Sequence, residues 1–180
     1  MSKLRAAKEE ITQRWPAPAR EDLELIGAII VMYSYMDFNL RRFVEILDHE
    51  NLLPTRWKGK SGSIPIGDVE TILESMPELT SNNVIAFQRI KQGRTLRNLL
   101  AHFAIRRFPD EDAYVFVTKY APDFKRVLGH DPEPGMVMAS VADAVQIRDL
   151  RKMLEGVMQW LETATRQIED EHFRRKGVLK

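Results

Sequence analysis

No cysteine occurs anywhere in the 180-residue sequence. That excludes a disulfide framework, thiolate metal sites and a cysteine nucleophile. A large excess of charge is lacking too. Twenty-seven Lys and Arg stand against 26 Asp and Glu, a formal net charge of +1, so an anionic partner must be met by a local patch rather than by the field of the whole protein. The four histidines, His49, His102, His130 and His172, form no two-histidine metal spacing such as His-x3-His, so no metal is expected. Gly-x-Ser-x-Gly, P-loop and dinucleotide fingerprints are missing, and no cofactor is expected. The N-terminal MSKLRAAKEEITQRW is charged throughout and lacks the apolar core of a signal peptide. The most apolar run, Leu25 to Val31, is shorter than a membrane span. The expectation is a cytoplasmic protein without a membrane partner.

What is present is helical periodicity. With 44% hydrophobic and 29% charged residues, the composition is that of a globular domain with a real core. Leu4, Ala7, Ile11 and Trp15 suggest a short amphipathic arm over Lys3 to Trp15, ended by Pro16 and Pro18. Glu21 to Glu50 reads as a long helix striped by Leu23, Ile26, Ile30, Tyr33, Asp37, Leu40, Val44 and Leu47, and apolar enough around its circumference to be buried on more than one side. Asp37 falls inside that stripe and needs a partner. It is either a structural ion pair or hydrogen bond, or the orienter of an arginine or histidine in a site. Asn51 to Gly67 reads as a loop in which Arg56, Lys58 and Lys60 surround Trp57. Such a cluster can hold phosphate and stack a base; the expectation is the plainer one, a solvated loop with its tryptophan tucked onto the core.

A shorter helix, Asp68 to Glu78, is expected with Asp68 as its N-cap. Val84 to about Phe103 reads as the second long helix. A β-hairpin follows, with Phe103 and Ile105 in its first strand, a turn at Pro109 to Asp112, and Tyr114 to Thr118 in its second; Met136 to Met138 suggests a third short strand. Ser140 to about Lys176 reads as the last long helix, with Ser140 as N-cap and Asp143 in the first turn. The fold class is therefore mainly α: a bundle of three long helices and shorter ones, with a small β-hairpin inserted before the last helix. The whole chain is read as one domain, residues 1–19 being an arm and 169–180 a charged tail.

The only concentrated chemical equipment is Arg97-Asn98-Leu99-Leu100-Ala101-His102. At about 100° per residue, Leu96, Leu99, Leu100 and Phe103 make one stripe, and Arg97, Ala101, Asn98 and His102 share the opposite face. Arginine and histidine together suit metal-independent cleavage of RNA. Histidine can move protons to and from the reacting oxygens near neutral pH, and arginine stabilises the extra negative charge on phosphorus. Asparagine can donate to a phosphate oxygen or fix the imidazole tautomer. Arg94 and Lys91 are candidate RNA-binding cations upstream. Because Arg97 and His102 diverge by about 140° on one helix, two such helices facing across a two-fold axis would make the better site, with small Ala101 allowing close approach. Phe87 and Ile90, farther up the same face, suggest that it is covered, either by another helix of this chain or by a second copy, the second copy being the expected cover.

Arg97 to His102 resembles the Arg-x4–6-His motif of the HEPN (higher eukaryotes and prokaryotes nucleotide-binding) superfamily, including the polar residue directly after the arginine. Its place near the end of a long helix in an all-α setting, with a further long helix after it, is similar. The hairpin after the motif resembles a bacterial HEPN-like subset, and the helix bearing Asp37 resembles the one that places an acidic residue towards the motif. The resemblance spans roughly Glu21 to Ile168, with only the six-residue motif specific. It implies a symmetric homodimer with the motif helices facing and a composite cleft. It also implies metal-independent endoribonuclease activity leaving a 2′,3′-cyclic phosphate or a 3′-phosphate. Such proteins serve as toxins or in defence and stress responses, often under an inhibitory protein partner. By the same resemblance His102 is the general acid/base, Arg97 the phosphate clamp, Asn98 the orienter and Asp37 a less fixed acid. The alternative is a non-catalytic helical dimer of the same fold that binds RNA or a protein, which the near-neutral charge favours.

Overall fold

The computed structural model describes residues 15–75, 84–108, 111–118 and 138–177, with single positions 122, 125, 129 and 131 between the last two stretches. The expected arm over Lys3 to Trp15 therefore lies almost wholly outside the described residues, as do Pro77 to Asn83 and His130. Four α-helices are described: α1 Arg20–His49, α2 Ile66–Glu74, α3 Val84–His102 and α4 Ala144–Arg175. Strands β1 Ala104–Arg107, β2 Ala113–Thr118 and β3 Met138–Asp143 form one antiparallel sheet in the order β1-β2-β3, placed before α4 as expected of a mainly α fold with an inserted hairpin.

The helix ends follow from local chemistry. At the start of α1, Asp22 accepts the Ala19 N–H at 2.8 Å, satisfying a donor that the first turn leaves open. At its end, Asn51 takes a left-handed φ of 60°. The Leu52 N–H then reaches the Leu47 carbonyl (2.8 Å) and the Asn51 N–H the Asp48 carbonyl (3.0 Å), the paired bonds of a Schellman cap. Two boundaries differ from the sequence reading. Helix α2 begins at Ile66, directly after Pro65, so Asp68 sits inside the first turn rather than at the cap. Helix α4 begins at Ala144, not Ser140. Ser140 is a strand residue opposite Phe116, and Asp143 is the cap, accepting the Val145 N–H at 2.6 Å.

The chain divides into two compact units, residues 1–30 with 93–152 and residues 31–92 with 153–180. In the first, Leu25, Ile26 and Ile29 of α1, Leu99, Leu100 and Phe103, and Ala144 and Ile147 of α4 are buried together with all six residues of β2. β2 is the central strand, with Val115 opposite Arg106 on one side and Val141 on the other. The Arg107 N–H donates to the Pro16 carbonyl at 3.0 Å, and the Trp15 and Phe108 rings stack 4.9 Å apart, so the segment before α1 is tied to β1.

A charged cluster pins this unit. Arg107 lies over the Tyr114 ring at 4.7 Å and binds Asp112 at 2.7 Å. The Arg148 guanidinium holds the other Asp112 oxygen, and the Tyr114 hydroxyl donates to Asp22. Arg148, and then Arg107, hold the Asp112 carboxyl below the ordinary aspartate range. A carboxylate whose folded value is depressed contributes stability above its unfolded value, about 3.9, and loses it as pH falls through the folded value. Thermal melts at pH 7 and at pH 3 should therefore show an acid-induced loss of midpoint in the wild type that is smaller in Asp112→Asn. An equal loss in both proteins would exclude this pair as its source.

In the second unit, Tyr33, Met36, Leu40 and Val44 of α1 are fully buried, as are Ile64, Val69 and Ile90, with Leu154 and Leu161 of α4. The sequence reading of α1 needs two corrections. Leu23 is 57% exposed, and Val31, Tyr35 and Phe38 are 65%, 45% and 55% exposed, so one side of the helix is open and still apolar. By length and composition α1 could also cross a membrane, a test that core helices pass equally; the short run Leu25 to Val31 understated it.

Candidate functional site

Helix α3 positions the Arg97-to-His102 motif through its leucines. Leu99, Leu100 and Phe103 are 8%, 4% and 6% exposed, so the stripe read from the sequence is the one that anchors the helix in the first unit. The opposite face opens progressively toward the C-terminal end. Arg97 and Asn98 are half-buried, whereas Ala101 and His102 are exposed. Arg94 is half-buried on the same helix.

The structure brings Arg97 and Asn98 together. Arg97 donates through Nη1 to the Asn98 side-chain oxygen at 3.0 Å. Residues one apart on a helix do not normally face each other; the length of the arginine lets its fork reach sideways. Nε of Arg97 is buried and has no hydrogen-bond partner among the described residues. The guanidinium is thus fixed at one nitrogen and keeps donor capacity for a ligand. With its oxygen committed to Arg97, Asn98 has its amide N–H groups left to donate. The site so far is a steadied cation, an amide donor and an exposed imidazole on one helical face.

The remaining candidates lie in the second unit. Asp37 is half-buried on α1. Lys91 is ion-paired with Glu74 of α2, which answers its charge locally. Ile90 is fully buried, and Tyr33 donates its hydroxyl to the Ile90 carbonyl at 3.1 Å. The cover over this part of α3 is therefore supplied by the chain itself, which corrects the inference that a second copy covers Ile90. The Phe87 side chain lies outside the described residues. Among the described residues, no group of three or more His, Asp or Glu side chains is placed to hold a metal ion.

Two ionic clusters escaped the sequence reading. One is the Asp22, Arg107, Asp112, Tyr114 and Arg148 cluster described above. The other lies at the ends of α1 and α4, where Glu50 pairs with the His172 ring and stands 3.7 Å from Arg175. The His172 contact, followed by the charges of His172 and Arg175, holds the Glu50 carboxyl below its usual range. A cleft of about 140 Å³ opens there, lined by Ile46, Leu47, Leu52 and Ile168 beside Glu50 and His172. Only the basic last turn of α4 hinted at it in sequence; Glu50 and His172 are 122 positions apart. Compared with protein-family models, curated proteins and solved structures, this chain matches none.

Proposed function

We propose that this chain is a cytoplasmic, metal-independent endoribonuclease of the HEPN type, working at a cleft completed by a second copy. The carrying observation is the half-buried Arg97, held by Asn98 with Nε unpaired, on the same face as the exposed His102. Supporting it, Ala101 between them is exposed, so a partner helix can approach closely at that level.

The chemistry follows from the groups. A histidine in its neutral form takes the proton of the ribose 2′-hydroxyl. The 2′-oxygen attacks phosphorus, the bond to the 5′-oxygen breaks, and a protonated histidine returns a proton to that oxygen. The products are a 2′,3′-cyclic phosphate and a 5′-hydroxyl. In a two-fold cleft one His102 takes both roles in turn, facing the partner subunit's Arg97. Arg97 offsets the charge that gathers on the phosphoryl oxygens, where a forked, permanently charged donor is most effective. The test is incubation of end-labelled RNA with the protein in excess EDTA. Cleavage that persists and yields cyclic-phosphate ends is expected; cleavage that appears only when a divalent metal is added back would overturn the reading.

A second reading, a non-catalytic dimer or protein-binding module, draws on a different observation. Val31, Tyr35 and Phe38 form an exposed apolar strip at i, i+4 and i+7 on α1, a pattern that suits a helical partner, including an inhibitory one. The same RNA assay separates the two readings, because a binding module gives no products in either condition.

A further inference from the structure

The loop between α1 and α2 is unusually one-sided in charge. From Asn51 to Gly67 the sequence holds Arg56, Lys58 and Lys60 and not a single Asp or Glu. All three cations are exposed, and none makes an ion pair among the described residues. Elsewhere among the described residues basic side chains face carboxylates, as Lys91 faces Glu74, Arg148 faces Asp112 and Arg166 faces Glu162.

The loop is also built rather than loose. Thr55–Trp57 and Ser61–Ser63 are 3-10 turns. Asp48, from the last turn of α1, accepts the Gly59 N–H at 2.8 Å and the Ser61 N–H at 3.3 Å, with Gly59 in the left-handed region at φ 70°. Arg41 donates to the Ile64 carbonyl at 3.0 Å and fixes the far end. Trp57 is half-buried with its indole Nε1 turned inward, and the Arg56 guanidinium stacks over the ring at 5.3 Å. A guanidinium propped on an indole keeps its edge donors turned outward, which is the geometry for gripping a phosphate. Asp48 spends its charge on backbone N–H groups, so the loop's cations keep theirs for a partner.

We infer that Arg56, Lys58 and Lys60 form a phosphate-docking loop that holds the backbone of single-stranded RNA. The choice of RNA rests on the proposed nuclease reading; the affinity for a chain of phosphates rests on the loop alone. Three cations within five positions, on turns held by Asp48, meet successive phosphates with little ordering cost.

The probe is a fluorescein-labelled 12-nucleotide oligouridine, read by anisotropy over a series of salt concentrations. The protein is the full chain with His102→Ala, which prevents cleavage during titration. Adding Arg56→Ala, Lys58→Ala and Lys60→Ala should weaken binding at low salt by about tenfold or more. It should also flatten the plot of log affinity against log salt by about 2, since each lost contact to a single strand removes about 0.7. Lys58→Arg with Lys60→Arg should keep both. A control lacking Lys152 and Arg166, whose charges face Asp149 and Glu162, should behave as the parent. Unchanged affinity and slope in the triple variant overturn the inference. So does loss of binding to polyglutamate without loss of RNA binding, which would assign the loop to an acidic protein instead. Loop-dependent affinity in a chain that never cleaves RNA would leave the loop standing and sink the nuclease.

Discussion

Replacing His102 by alanine is expected to slow the proposed RNA cleavage by about 10²–10⁴-fold, the range that a positioned proton donor or acceptor contributes. Arg97→Ala should cost about 10²–10³-fold, as loss of a donor aimed at developing charge does. Arg97→Lys should not restore the rate, because an ammonium can neither hold the Asn98 oxygen and a phosphate in one plane nor supply the buried Nε donor. Asn98→Ala leaves the charge in place and removes its tether, so a smaller loss, about tenfold, is expected. The decisive measurement uses two inactive proteins. In the proposed dimer, mixing Arg97→Ala with His102→Ala would give a shared cleft that still holds one arginine and one histidine. Activity should return on mixing. If each protomer carried a complete site of its own, no mixture of the two would recover. Recovery would establish the composite cleft, and failure with a confirmed mixed dimer would remove it.

The largest expected effect on stability belongs to Tyr114. Its ring is fully buried in the central strand, with Arg107 over one face and its hydroxyl 2.5 Å from Asp22. Tyr114→Ala removes a large buried aromatic and leaves a void that the paired strands on either side cannot close. A loss of about 3–5 kcal/mol is expected. Tyr114→Phe keeps the ring and strips Asp22 of one donor. About 1–3 kcal/mol is expected there, because a half-buried carboxylate is left short of a bond. The difference between the two variants separates packing from hydrogen bonding. Alkaline unfolding gives an independent check. Burial, and then the Asp22 carboxylate, push the Tyr114 hydroxyl up to about 12. The folded protein thus favours the neutral phenol, while an unfolded one ionises near 10. Stability is complete below about pH 10 and declines as pH climbs toward 12. Denaturant melts across that window should show the decline in the wild type and a weaker one in Tyr114→Phe. Identical slopes would mean that other groups govern the alkaline limb.

The long helices were legible because their apolar residues recur at helical spacing, and the chemistry of burial sees only that spacing. A third strand was expected at Met136 to Met138, but the bounds of β3 were misread, because Met138-Ala139-Ser140-Val141-Ala142-Asp143 holds one β-branched residue among small and polar ones. Its strand state comes from pairing with the wholly buried β2, a partner that local propensity cannot see. The same polar residues, Ser140 and Asp143, both suit a cap, and only the sheet decides between them. On α3, the wheel correctly marked the Leu99, Leu100 and Phe103 face as anchored. It also marked Ile90 as covered, but periodicity names no cover, and Tyr33 lies 57 positions away. The open apolar strip of α1 was hidden for the opposite reason: Val31 and Phe38 look like core until their surroundings are known. Arg97, Asn98 and His102 were legible as a set because their chemistry is packed into one turn and a half.

A single residue, Phe103, separates the end of α3 at His102 from the start of β1 at Ala104. Its ring is sunk in the core, and its own N–H is bound to the Leu99 carbonyl at 3.0 Å. There is no slack on either side of His102. Its backbone is clamped between a helix and a strand, so the imidazole can seek a substrate only by turning about its own two side-chain torsions. The hairpin then acts as a handle on the motif. Anything that tilts β1 must carry His102 with it, and a ligand gripping the sheet would adjust the proposed catalytic base without touching it.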